Sequence, residues 1–109
     1  MIYVTVTRSS DRIAAFELTG HADSGPYGYD LVCAGVSAVS FGTINAVMKC
    51  CDVELDIEQG HEGGYLHVSI PDTIQDSQME KVQLLLEGML VALETIERDY
   101  GQFIKIYDE

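Results

Sequence analysis

Positive charge is scarce in this chain of 109 residues: Lys and Arg together number six, against 18 Asp and Glu, for a formal net charge of −12. The imbalance is uneven. Residues 1–50 hold four acids (Asp11, Glu17, Asp23, Asp30) against three bases, whereas residues 51–109 hold 14 acids against Lys81, Arg98 and Lys105. A nucleic-acid backbone would be repelled, so direct nucleic-acid binding is not expected. An acidic surface keeps a protein soluble and draws in a basic partner. Cysteine is also sparse, with three residues, an odd count and no CxxC spacing. That excludes a disulfide framework and fits a reducing cytoplasm. The opening "MIYVTVTRSS" has no basic leader region, so no secretory signal is expected. The run Leu31–Met48 carries Ser37, Ser40, Thr43 and Asn45, which reads as too polar for a membrane span, and no membrane partner is expected. No glycine cluster is followed by Lys-Ser/Thr, the acidic comb Asp52–Glu58 lacks calcium-loop spacing, and His61 with His67 and Glu62 completes no zinc set. No metal or organic cofactor is implied.

What remains is an ordinary globular composition, 47% hydrophobic, long enough for one core and one domain over residues 1–109. "IYVTVT" alternates, with Ile2, Val4 and Val6 in phase, and "IAAFELTG" returns with Ala14, Phe16 and Leu18 in phase, so the two form a hairpin. Asp30 has the character of an N-cap for a helix from Leu31 to about Cys51. In it Ala34, Ala38, Gly42 and Ala46 make a smooth stripe beside Val32, Val36, Val39 and Val47. "DVELDIEQ" and "YLHVSI" pair as a second hairpin across "GHEGG". Asp72 with Gln75 resembles a capping box opening a helix to about Tyr100, striped by Met79, Val82, Leu86, Met89, Leu93 and Ile96. Gly101 ends that helix and "FIKIY" is a last strand. The expectation is an α+β fold: two helices packed on a largely antiparallel five-stranded sheet, order β-β-α-β-β-α-β. Cys50 and Cys51 read as packing thiols, because a vicinal disulfide would be strained. A redox-sensitive pair is the alternative.

The chemistry centres on "GHADSGPYGYDLVCAGVS", Gly20 to Ser37. With Asp30 as cap, Cys33 falls in the first helical turn, where unpaired N–H groups and the helix dipole favour a thiolate and could receive an oxyanion. His21 ends a strand and precedes a Gly-rich loop that could carry it back to Cys33, where an imidazole takes the thiol proton and returns it to a leaving amine. Against this, free cysteine is among the most buried residue types, and Ala-Gly-Val neighbours look like core. Pattern alone leaves both readings open.

The same stretch resembles the signature of the Prp family of ribosomal-processing cysteine proteases: Gly-His-Ala, a flexible segment, then Gly-x-Asp-(Ile/Val/Leu)-Val-Cys-Ala-Ala-Val-Ser. Gly35 stands where alanine is usual and Leu31 where isoleucine is commoner. The resemblance implies a cysteine endopeptidase that removes the N-terminal extension of large-subunit ribosomal protein twenty-seven. Cys33 would be the nucleophile, His21 the general base and Gly20 a hinge before it. Asp30 and Ser37 would be supporting polar positions, Asp30 capping the helix or orienting His21, and Ser37 one turn beyond Cys33 on the same face. It also implies a homodimer and a ribosomal precursor whose apolar, aromatic-ended extension meets a receiving loop carrying Tyr27 and Tyr29. The competing expectation is a non-catalytic acidic adaptor that holds a basic ribosomal protein.

Overall fold

The computed structural model describes residues 1–20, 27–60 and 64–109, and of residues 27–30 the helical backbone alone. Alternation dictates the first hairpin: β1 (Ile2–Ser9) and β2 (Arg12–Thr19) pair antiparallel, with Val4 opposite Leu18 and Val6 opposite Phe16. Ser10 and Asp11 both adopt positive φ, 52° and 67°, giving the tight turn whose twist matches a hairpin. β4 (Tyr65–Ser69) pairs antiparallel with β2, and β3 (Asp56–Gln59) pairs antiparallel with β4 at one edge. β5 (Ile104–Asp108) adds to the other side of β1 in parallel, so the sheet order is β3-β4-β2-β1-β5. The expected α+β class and element order are borne out, and the one parallel pair makes the sheet mixed.

One sheet face is apolar. Ile2, Val4, Val6, Phe16, Leu66, Val68 and Ile104 are buried on it. α1 (Tyr27–Cys51) contributes Val32, Val36, Ile44 and Val47 to this core, and α2 (Asp76–Tyr100) contributes Met79, Val82, Leu86, Met89 and Leu93. Burying each such side chain is worth about 1.5–3 kcal/mol, so packing holds α1 despite its β-branched residues. The opposite face carries Tyr3, Glu17, Tyr65, His67 and Tyr107, with the Tyr3 and Tyr107 rings stacked at 6.5 Å.

Several boundaries differ from expectation. α1 opens at Tyr27, so Asp30 is its fourth residue rather than its cap. A carboxylate is as favourable inside a first turn as before it, because the dipole acts on both positions. α2 opens at Asp76 with Gln75 at the N-cap and no side-chain cap bond, so the Asp72 capping box does not form; Asp76 supplies the first-turn charge instead. Gly101 closes α2 with a negative φ of −60°, not in the left-handed region. β3 is four residues long rather than eight, since Asp52 leaves α1 at a φ of 53° and only residues 56–59 reach β4. Ile57 is exposed on this edge strand. Cys51 is buried as expected, but Cys50 is exposed at the helix end. Finally, polarity does not exclude a span: within Leu31–Cys51 mean hydropathy reaches 1.7, long and apolar enough to cross a membrane by length and composition. What assigns α1 to the domain is its row of valines in the common core.

Candidate active site

Where the ends of β1, β2 and β4 meet α1, the sheet and helix part to leave a cavity of about 460 Å³. Its floor is apolar, made by Ile2, Leu18, Val36 and Leu66. Three residues of α1 form one wall: Cys33, Ser37 and Phe41, spaced four apart so that they share a helix face. The opposite rim is Thr19, Gly20, Gln59, Gly60, Gly64 and Tyr65.

The rim is drawn tight at Gly20. Its φ is 126°, its N–H donates to the Gly64 carbonyl at 2.9 Å, and a Cβ there would fall inside the Met1 carbonyl oxygen. Only glycine fits that approach. This supplies a static reason for the residue, independent of any hinge. At Tyr65, partial burial, then a hydrogen bond to Glu17, then the charges of Glu17 and Glu58, push the phenol above the ordinary tyrosine range. Tyr65 therefore keeps its phenolic proton, and the hydroxyl is engaged with Glu17 on the sheet face away from the helices.

Cys33 is half-buried and free, with its side chain on the cavity wall. That is compatible with a nucleophile and is not a thiol sealed in the core. Its position corrects one expectation. With α1 starting at Tyr27, Cys33 is the seventh helical residue, so the four unpaired first-turn N–H groups belong to residues 27–30 rather than to the turn that holds the thiol. Ser37 is half-buried one turn beyond Cys33 and lines the same cavity. Tyr27 and Tyr29, expected in a loop, stand in the first turn of α1, and Asp30 follows them. His21 lies outside the described residues, as does His61. His67 sits on the solvent face of β4, opposite Glu17 on β2 and Glu58 on β3. Among the described residues, no three His, Cys, Asp or Glu side chains converge to hold a metal ion.

Sequence reasoning did not single out Phe41, Gly60, Gly64 or Tyr65. The one available signal was Phe41, eight residues after Cys33 and therefore on its face. Gly60, Gly64 and Tyr65 belong to the one hairpin that joins β3 to β4, and only the pairing of β4 with β2 brings that hairpin to the cavity.

A family model described as cysteine protease Prp matches residues 1–105. The ribosomal processing cysteine protease Prp of Bacillus subtilis is 47% identical over 107 residues, covering 97% of this chain and 96% of that protein. The Staphylococcus aureus protein of the same name is 40% identical, covering 97% of each. The fold superimposes on the S. aureus ribosomal processing protease Prp solved with a covalently linked product peptide, with a TM-score of 0.86, 39% identity and full coverage of both chains. A second crystal structure from that organism holds a substrate peptide, again at a TM-score of 0.86. With a half-buried thiol on the wall of a peptide-sized cavity, and a match over almost its whole length, this chain is a cysteine peptidase of the Prp family.

Proposed function

We propose that this protein is an endopeptidase that trims the N-terminal extension from large-subunit ribosomal protein twenty-seven, with Cys33 as nucleophile and His21 as general base. The observation that carries the reading is the placement of Cys33 on the wall of an open, apolar-floored cavity. The family membership and the ribosomal-processing names of the relatives support the substrate class.

The chemistry runs in two steps. His21 accepts the Cys33 thiol proton, and sulfur attacks the scissile carbonyl carbon to give a tetrahedral oxyanion. Collapse breaks the C–N bond, and the imidazolium returns its proton to the departing amine. Water, deprotonated by the same imidazole, then attacks the thioester and releases the acid and the thiol. The Ser37 hydroxyl is a neutral donor on the cavity wall, and it supplies a hydrogen bond to the bound peptide. The test is incubation with the ribosomal precursor and mass spectrometry of the new N-terminus. Cys33→Ala should lower kcat/KM by at least about a thousandfold, and His21→Ala should lose cleavage as well. Trimming at the native rate by Cys33→Ala overturns the proposal.

The same proposal has the chain act in the cytoplasm, where its three free thiols stay reduced, and as a homodimer. Dimerisation has a suitable surface on the helices. Leu84 and Val91 are 74% and 62% exposed on α2, beside a groove where Gly42 and Gly88 have open space above them. A helix of a second copy would cover both residues. A single-chain mass by light scattering throughout the micromolar range would exclude the dimer.

A further inference from the structure

Both helices pack on one side of the sheet, and among the described residues no helix or strand covers the other. The register sets that bare face in rows across the strands. Lys105, Tyr3, Thr19 and Tyr65 make the row nearest the cavity, and Tyr107, Thr5, Glu17, His67 and Glu58 make the next. Asp56, opposite Ser69, extends the acidic side into a third row. The chemistry of the face is divided. Over β5 and β1 the Tyr3 and Tyr107 rings, 44% and 49% exposed, stack at 6.5 Å with an interplanar angle of 21°. Over β2, β4 and β3 stand the carboxylates of Glu17, Glu58 and Asp56. A solvated sheet face needs only polar side chains. Exposed rings beside carboxylates suit a cationic partner, because a guanidinium stacks on the former and bonds the latter.

Resting on the proteolytic reading above, we infer that this sheet face docks the Lys- and Arg-bearing body of the ribosomal precursor, the part that remains after the extension is cut away. A protein that sits on ribosomal RNA must neutralise phosphates with Lys and Arg, and a chain of net charge −12 attracts such a body from a distance. Thr19 and Tyr65 join the two surfaces, since they belong both to the cavity rim and to the first row of the face. From Tyr65 on β4 across β2 and β1 to β5 is three strand spacings, about 14 Å, which four or five extended residues span. The scissile bond therefore sits in the cavity while the body lies on the sheet. RNA is repelled by the same carboxylates, and a second copy laid on this face would set those carboxylates against one another.

The probe is the mature form of ribosomal protein twenty-seven, whose extension is already removed, so its binding owes nothing to the chemistry at Cys33. By isothermal titration calorimetry wild type should bind it, several-fold more weakly at ~200 mM salt than at ~50 mM because the contacts are exposed charges. The triple variant Asp56→Asn, Glu58→Gln and Tyr107→Ala should bind it about tenfold more weakly than wild type. A control that removes two charges elsewhere, Asp72→Asn with Asp99→Asn, both exposed near the two ends of α2, should stay within about twofold of wild type. Cleavage should divide in the same way. On the full precursor the triple variant keeps kcat and raises KM about tenfold, and on a peptide holding only the extension and the scissile junction it matches wild type. All three substituted side chains are exposed, so an unchanged urea midpoint separates lost docking from lost folding. The inference is overturned if wild type does not bind the mature protein, if the triple variant binds it as tightly, or if the α2 control loses as much. A triple variant that falls to a single-chain mass by light scattering while binding the mature protein undiminished would assign the face to a second copy instead. Mature protein that binds as expected beside a precursor that wild type never cleaves would sink the proteolytic reading and leave the docking face standing.

Discussion

Replacing Gly20 by alanine is the substitution whose consequence the structure determines most sharply. The backbone there has a φ of 126°, a region that costs a side-chain-bearing residue roughly 1–2 kcal/mol. The added Cβ would lie inside contact distance of the Met1 carbonyl oxygen and 3.0 Å from the Ile2 Cα. Both obstacles are backbone, at the start of β1 and immediately before it, and cannot rotate away. Relief requires β2 to withdraw from β1 and the 2.9 Å bond from the Gly20 N–H to the Gly64 carbonyl to stretch, a loss of about 1 kcal/mol. Together these give a destabilisation of about 3 kcal/mol, which in a domain of this size lowers Tm by roughly 10–20 °C. Urea denaturation of wild type and Gly20→Ala, fitted with a common slope, measures the difference. Gly20 and Gly64 both line the cavity, so peptide cleavage at 15 °C, where the variant is still folded, should fall too. A variant within 0.5 kcal/mol of wild type would refute the steric argument.

Two further substitutions probe stability away from the cavity. Arg8 uses all its donors: Nε and Nη2 reach Asp108 at 2.7 and 3.0 Å, Nη1 and Nη2 reach Glu87 at 2.9 and 2.8 Å, and Nη1 reaches the Asp11 carbonyl at 3.0 Å. The Glu87 and Asp108 side chains are 43% and 40% exposed, so solvent screening limits the clamp to about 1–2 kcal/mol; Arg8→Met should lose that much by urea denaturation. The guanidinium's hydrogen bonds hold both carboxyls below their ordinary values of 4.5 and 3.8, while Arg8 is held further above its own range and does not titrate here. The clamp is therefore fully present above the ordinary carboxyl values and lost as pH falls through the depressed ones, so the gap between wild type and Arg8→Met should close in acid. A gap as wide in acid as at neutral pH would contradict this. At Gly35 a Cβ would meet only the Ile96 Cδ1, at 3.7 Å, an ordinary contact. Gly35→Ala should raise stability by about 1 kcal/mol, read as a higher Tm with unchanged cleavage; a lower Tm would show that α1 needs its backbone unencumbered there.

The elements were readable because each leaves a periodic trace in its own stretch of chain. Val4, Phe16 and Val68 alternate in phase, and Met79, Val82, Leu86, Met89 and Leu93 repeat at helical spacing, so the sheet face and the α2 stripe emerged directly. The strand order left no such trace. The parallel pairing of Ile2 with Ile104 joins segments with no shared turn, and no local pattern announces it. Helix starts were misplaced for a related reason. Asp30 and Asp72 have capping chemistry, but a cap is chosen by where the chain bends, and α1 begins before the first aspartate while α2 begins after the second. Within the site, Cys33 and Ser37 were legible from the motif. The cavity that gives them meaning was not, because its floor is assembled from β1, β2, β4 and α1.

The parallel strand β5 also bears on when the protein can work. Ile2, part of the cavity floor, is held by pairing with Ile104 and by donating its N–H to the Phe103 carbonyl at 2.8 Å. Arg8 N–H and the Glu109 carbonyl close the far end of the same ladder at 2.9 Å. A growing polypeptide on the ribosome would hold the thiol of Cys33 long before it held the strand that seats Ile2. Contacts so distant in sequence form late and slowly. The cavity floor and the C-terminal strand are therefore completed together, since the ladder that seats Ile2 needs β5 in place.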